Sequence, residues 1–198
     1  MLPFAHTGIT LGAAWLLKSG LTRGPMLSAT RRDYAREVNP RTPHRSGVSM
    51  DYRLVIFGAM LPDLVDKPIG VFLFRDTFSN GRIFCHTLLF LIVISLAGLY
   101  LYKSRGKLWL LILSFGTFTH LILDQMWLDP GTLLWPIYGF TFPKVDLSNW
   151  TLNMWHMLQT DPAVYVPEIV GAIILAGFVA VSVHRRKVYA FIRNGVAE

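Results

Sequence analysis

Cysteine is nearly absent: Cys85 is the single one in 198 residues, so no intramolecular disulfide and no cysteine-type zinc site can form. Charge is scarce as well, at 16% of residues. A soluble domain of this size carries about a quarter, so the composition argues against an ordinary water-exposed surface. Also missing are the HExxH, GxSxG, P-loop and DGxxAR-type signatures, which removes several familiar hydrolase, nucleotide-binding and transferase chemistries. The N-terminal MLPFAHTGITLGAAWLLK has no basic residue ahead of its apolar stretch, unlike a cleaved signal peptide. It reads as a retained first membrane segment.

What is abundant is apolar surface. Hydrophobic residues make up 53% of the chain, and its mean hydropathy is +0.42. Five apolar segments stand out: Leu2 to Leu17, Leu54 to Val65, Ile83 to Tyr102, Leu108 to Leu128 and Val166 to Val183. A spanning helix needs about 20 apolar residues. The third and fourth meet this comfortably, the first and fifth are near the short end, and the second needs its flanking turns. The expectation is an all-α, polytopic membrane bundle of about four to five spans, forming one membrane-embedded domain over residues 1–198.

The net charge of +7 is unevenly placed. Fifteen of the 19 lysines and arginines fall in the 18–53 stretch, the 103–107 turn and the 184–198 tail. Only Lys67, Arg75, Arg82 and Lys144 lie on the other side of the alternating spans. By the positive-inside rule the basic segments and the C-terminus are cytoplasmic, and the N-terminus and the Trp-, Tyr- and Pro-rich 129–165 cap are outside. A short surface helix is expected at RRDYAREV within the first basic loop. That loop has no interleaved aromatics, so lipid headgroups rather than nucleic acid are its expected neighbours.

Ionisable residues inside apolar spans are costly and face an interior or a polar cavity. Here they are His6, Asp63 and Asp66 in LPDLVDKP, His86 in GRIFCHTLL, and His120 and Asp124 in THLILDQM. The topology drawn from Lys and Arg alone brings all six towards the outer side. Residues three or four apart share a helix face, so His120 points with Asp124 and Asp63 with Asp66. Three histidines and three aspartates suit mixed nitrogen and oxygen ligation of zinc, or of manganese or iron, by one or two ions. Each residue alone has a plainer reading, as a packed histidine or a helix cap. His44 reads as solvated, His184 as interfacial and His156 as a weaker cap-lining candidate.

The order of these stretches resembles the membrane-bound metal-dependent hydrolases, relatives of the LexA-regulated inner-membrane hydrolase. The matching pieces are His6, GAMLPDLVDKP (Gly58 to Pro68), GRIFCHTLLF (Gly81 to Phe90), THLILDQMW (Thr119 to Trp127) and DPGTLLWPIYG (Asp129 to Gly139). The same order is similar, more distantly, to the zinc-dependent phospholipase C and nuclease fold. That resemblance implies His6, Asp63, His86, His120 and Asp124 as metal ligands, with Asp124 a bridge between ions. The later histidine and HxxxE cluster of the secreted enzymes is absent after Asp124, so a third ion is not implied. Three expectations follow. One is a metal-dependent hydrolase of phosphoester or lipid-type substrates at the outer face, with Asp66, or Asp63 if it is not a ligand, as general base and Arg82 or Lys67 holding an anionic headgroup. Another is a metal-binding or ion-transporting bundle without hydrolysis. The last is a structural bundle that binds no metal.

Overall fold

A computed structural model describes residues 3–23 and 50–195. The RRDYAREV segment and His44 lie outside them. Most of the described residues are helical, with no strand among them. In chain order they form α1 (Pro3–Arg23), α2 (Tyr52–Lys67), a π-helical turn (Pro68–Leu73), α3 (Arg75–Phe78), α4 (Leu88–Arg105), α5 (Trp109–Leu123), a 3-10 turn (Met126–Leu128), α6 (Pro130–Leu133), α7 (Trp150–Thr160), α8 (Pro162–His184) and α9 (Val188–Asn194).

Among the described residues, two helices, α4 with 18 residues and α8 with 23, are long and apolar enough to cross a membrane. α5 is apolar but has 15 residues, and α2 has 16 with two aspartates on it. The expected four to five spans therefore reduce, by length and composition, to two clear ones.

α2 packs chiefly on α5, α1 on α8, and α4 on α5, with α1 also against α2. Two glycine crossings set these distances. A Cβ on Gly116 would lie 2.6 Å from the Ala59 nitrogen, and one on Gly58 would lie 2.6 Å from the Leu113 carbonyl oxygen. A Cβ on Gly8 would lie 1.9 Å from the Gly171 oxygen. Small residues at helix crossings are how membrane helices approach closely. Pro62, inside α2, has no N–H for the Gly58 carbonyl; the Thr117 hydroxyl of α5 donates to that oxygen at 3.4 Å.

The helices run so that one end collects the polar residues. The C-terminal ends of α2 and α5 and the N-terminal ends of α1, α4 and α8 meet there. At the other end, Tyr52 N–H donates to the Gly195 carbonyl at 2.9 Å, and Arg53 donates to the Ile192 carbonyl at 2.7 Å. That end also holds the apolar cluster of Leu11, Ala14, Tyr52, Val55 and Ile112.

Two boundaries differ from the sequence reading. The third segment begins its helix at Leu88 rather than Ile83. The backbone N–H groups of Ile83, Cys85 and His86 are taken by the Asp66 carboxylate instead, which holds 79–87 as a loop. The fourth segment stops at Leu123, because Gln125 adopts a left-handed φ of 52°. The 129–165 cap is partly helical: it contains α6 and α7, and α8 starts inside it. An aromatic cluster of Phe78, Phe84, Trp135 and Phe142 clamps the cap onto the 79–87 loop.

Candidate metal centre

Four pieces of chain deliver side chains to one buried point. α1 brings His6 and α2 brings Asp63 and Asp66. The 79–87 loop brings Arg82 and His86, and the end of α5 brings His120 and Asp124. All three histidines are fully buried, as is Asp66. The structure thus brings together His6, Asp63, Asp66, His86, His120 and Asp124, with Lys67 and Arg82 at the rim. His156 is elsewhere, on exposed α7, where it is paired with Thr160.

The ring orientation of two histidines is determined by what stands behind them. His86 Nδ1 lies 2.7 Å from Asp66 Oδ2. A carboxylate can only accept, so Nδ1 carries the proton. His120 Nδ1 lies 2.6 Å from the Ala59 carbonyl oxygen, and the same logic applies. In the neutral rings both Nε2 atoms then present lone pairs, and they face each other at 3.2 Å. A hydrogen bond between them needs one ring to take a second proton. A cation shared by both satisfies the two lone pairs directly.

Carboxylate oxygens complete the surround. Asp63 Oδ1 lies 3.6 Å from His86 Nε2 and 4.0 Å from His120 Nε2. Asp124 Oδ2 lies 3.8 Å and 4.0 Å from the same two atoms. Four donors at zinc-ligand distances from one tetrahedral ion stand about 3.3–3.6 Å apart. The His–His and the four His–carboxylate separations, 3.2 to 4.0 Å, lie around that spacing.

His6 adds a second flank. Its ring stacks on His120, with centroids 4.0 Å apart. Its Nε2 lies 3.2 Å from Asp124 Oδ1, off hydrogen-bonding geometry, and both its ring nitrogens are buried without a hydrogen-bond partner. Buried polar atoms are ordinarily paired, so an orphaned imidazole beside a carboxylate fits a metal ligand. Two triads, His6–His120–Asp124 and Asp63–His86–His120, each have ligand atoms within 4.8 Å of one another. They share His120, and Asp124 turns one oxygen towards each side.

The positive charges are balanced by this cluster. Lys67 Nζ lies 2.6 Å from Asp63 Oδ2, and Arg82 Nη2 lies 2.8 Å from Asp124 Oδ2. Both basic side chains are more than a third exposed, unlike the carboxylates they pair with. Asp66 has no such open side. It accepts from the backbone N–H groups of Ile83, Cys85 and His86, and from the His86 ring. Burial, and then the Asp66 charge, push the neighbouring Cys85 thiol up to about 12.

Two contributors escaped the sequence reading. The Ala59 carbonyl is a backbone group with no residue-type signature. Glu168, in the fifth apolar segment, is buried; its Oε2 accepts from Phe4 N–H at 3.1 Å and its Oε1 has no hydrogen-bond partner. It thereby anchors the first turn of α1, which carries His6, and its charge sits at the positive end of that helix dipole. An acid inside an apolar run was the available signal.

Against known proteins, the sequence model of the family described as YdjM inner membrane protein matches residues 1–190. No curated protein matches the chain, and no solved structure matches it.

Proposed function

The chain belongs to the YdjM inner membrane protein family, and from that premise we propose that it is a membrane-embedded metal-dependent hydrolase of phosphoester or lipid-type substrates, working at the outer face of the membrane. The observation that carries the reading is the pair of Nε2 atoms of His86 and His120 facing each other at 3.2 Å beside the Asp63 and Asp124 carboxylates. In this proposal α1, α2, α4, α5 and α8 cross the bilayer as one domain. The basic ends face the cytoplasm, and the polar end and the N-terminus face outward, as the lysine and arginine bias favours.

His86, His120, Asp63 and Asp124 hold a divalent ion, zinc in first place given the nitrogen–oxygen donors, with manganese or iron as alternatives. His6 is the further ligand that completes one ion or recruits a second. When bound, the ion supplies Lewis-acid polarisation of a phosphoryl oxygen and a lowered pKa for a water. The residues of the chain do the rest. Asp66 and the Ala59 carbonyl keep the protons on Nδ1 of His86 and His120, so that both Nε2 atoms point inward. Arg82 and Lys67, at the rim, release part of their pairing to an anionic substrate group. Where the histidines and Asp124 hold the ion without it, Asp63, whose Oδ2 meets Lys67 at that rim, is the carboxylate placed to accept a proton. Asp66, with its oxygens taken by four N–H groups, acts as a positioning residue instead.

The rival reading, ion transport, requires access from both faces. The site's place at one end of the helices, with the Gly58–Gly116 crossing beneath it, favours hydrolysis. Turnover of bis-p-nitrophenyl phosphate or labelled phospholipid by the purified protein, abolished in Asp124→Ala, tests the proposal. Metal binding without turnover over a broad substrate panel would return the choice to transport.

A further inference from the structure

Two apolar tips hang from the loop that carries His86. The first, in KPIGVFLFR, runs between Lys67 and Arg75 and exposes Phe72, Leu73 and Phe74, with Phe72 at 77%. Its base is held by Gly70, where a Cβ would lie 1.9 Å from the Asn80 carbonyl oxygen. The second, in WPIYGFTFPK, ends at Lys144 and exposes Ile137, Tyr138 and Phe140, with Ile137 and Phe140 both at 82%. Its base is held by Trp135 and Phe142 in the aromatic cluster. Asn80 Nδ2 donates to the Pro143 carbonyl at 2.7 Å, and Val145 N–H donates to the Ser79 carbonyl at 2.9 Å.

Neither tip contains a charged residue; Lys67 and Arg75 flank the first, and Lys144 closes the second. Both are fastened to 79–87, and α4, one of the two clear spans, begins immediately afterwards at Leu88. That fixes their level where a span enters the bilayer. Aromatic, uncharged tips with a basic residue at the edge of each match the composition of the headgroup–acyl boundary. In water the same side chains would forgo most of their burial free energy.

We propose that both tips insert into the bilayer beside the site, and that the site draws its substrate, an amphiphile with an anionic phosphate head, from the plane of the membrane. The second half rests on the hydrolase reading; the first does not. Insertion is tested by spin-label accessibility in nanodiscs of phosphatidylethanolamine and phosphatidylglycerol, using Phe72→Cys and Phe140→Cys in a Cys85→Ala background. Val93→Cys, on an exposed apolar face of α4, marks lipid, and Lys107→Cys, in the turn at the opposite end, marks water. Oxygen access exceeding that of nickel-EDDA, as at Val93, supports insertion. Nickel access like that at Lys107 overturns it, and so does a label closed to both reagents, which would mean that protein covers the tips.

For access, the double variant Ile137→Ser, Phe140→Ser should lose about tenfold or more in turnover of nanodisc phospholipid, because its anchoring burial is gone. Its turnover of soluble bis-p-nitrophenyl phosphate should be unchanged. An equal loss on both substrates, or on neither, overturns entry from the membrane plane. If the unaltered protein turns over neither substrate, the hydrolase reading fails and takes the access half with it. The insertion half is still decided by the labels.

Discussion

Replacing Asp66 with asparagine removes one charge and little volume, yet the geometry makes it a severe change. Asp66 accepts three backbone N–H groups and the His86 ring at 2.7 to 3.2 Å. An asparagine has one carbonyl oxygen with two lone pairs, and its amide nitrogen donates. At least two of the four donors then lose their acceptor, at about 1–3 kcal/mol each. The donors crowd on Oδ2 and Cys85 N–H also reaches Oδ1, so the amide N–H meets a donor in either orientation: Cys85 N–H with the oxygen at Oδ2, or the His86 ring with the oxygen at Oδ1, where His86 keeps a hydrogen bond only by moving its proton from Nδ1 to Nε2. That nitrogen can then no longer ligate. Loss of such an outer partner costs about 10–100-fold in metal affinity, or about 1.4–2.7 kcal/mol. The assay is zinc competition against a chromophoric chelator in detergent, with the cobalt-substituted visible spectrum as a second readout. Asp66→Asn should weaken zinc by at least tenfold and shift the cobalt bands as His86→Ala does, with helix content retained because α4 starts beyond the loop. An unchanged affinity and spectrum in Asp66→Asn would refute the tautomer reasoning.

Other expectations are simpler to state. Gly116→Ala puts a methyl 2.6 Å from the Ala59 nitrogen, so α2 and α5 must part; stability should fall by about 1–3 kcal/mol, read from thermal unfolding, together with zinc retention. Cys85, with its thiol pushed up to about 12 from 9.0, should react with a maleimide about a thousandfold more slowly than an ordinary thiol at neutral pH. It should label fully once the protein is denatured; rapid labelling of the folded protein would contradict its burial. Asp51 caps α2 and pairs with Arg53 at 2.7 Å, which lowers its pKa. Its contribution is present above the unfolded value of about 3.9 and lost as pH falls through the lower folded value. Asp51→Ala should therefore cost about 0.5–2 kcal/mol at pH 5 and pH 8 alike, with the difference vanishing in strong acid.

The ligand-type residues were legible because an ionisable group in an apolar run is anomalous by itself. His120 with Asp124, and Asp63 with Asp66, announce a shared face by spacing alone. Spacing does not say which member of a pair faces the centre and which stands behind it. Asp63 and Asp66 look equivalent in sequence, and only the folding of the 79–87 loop onto Asp66 separates them. The same loop explains why α4 begins at Leu88, since hydropathy cannot see that backbone N–H groups have gone to a side chain. The Ala59 carbonyl was invisible for a similar reason. The close Gly58–Gly116 crossing depends on a pairing of helices that no single segment encodes. Among the described residues only α4 and α8 meet the span length as helices; α2 and α5, at 16 and 15 residues, need their flanking turns to cross.

The most direct test is metal content. Purified in detergent without chelator, the protein should carry at least one equivalent of a divalent transition metal per chain by elemental analysis. His120, shared by both triads, is the residue whose loss should abolish it: His120→Ala should retain its helix content and lose the metal. Metal well below one equivalent in the unaltered protein after zinc loading and dialysis, unchanged by His120→Ala, would contradict the metal centre outright.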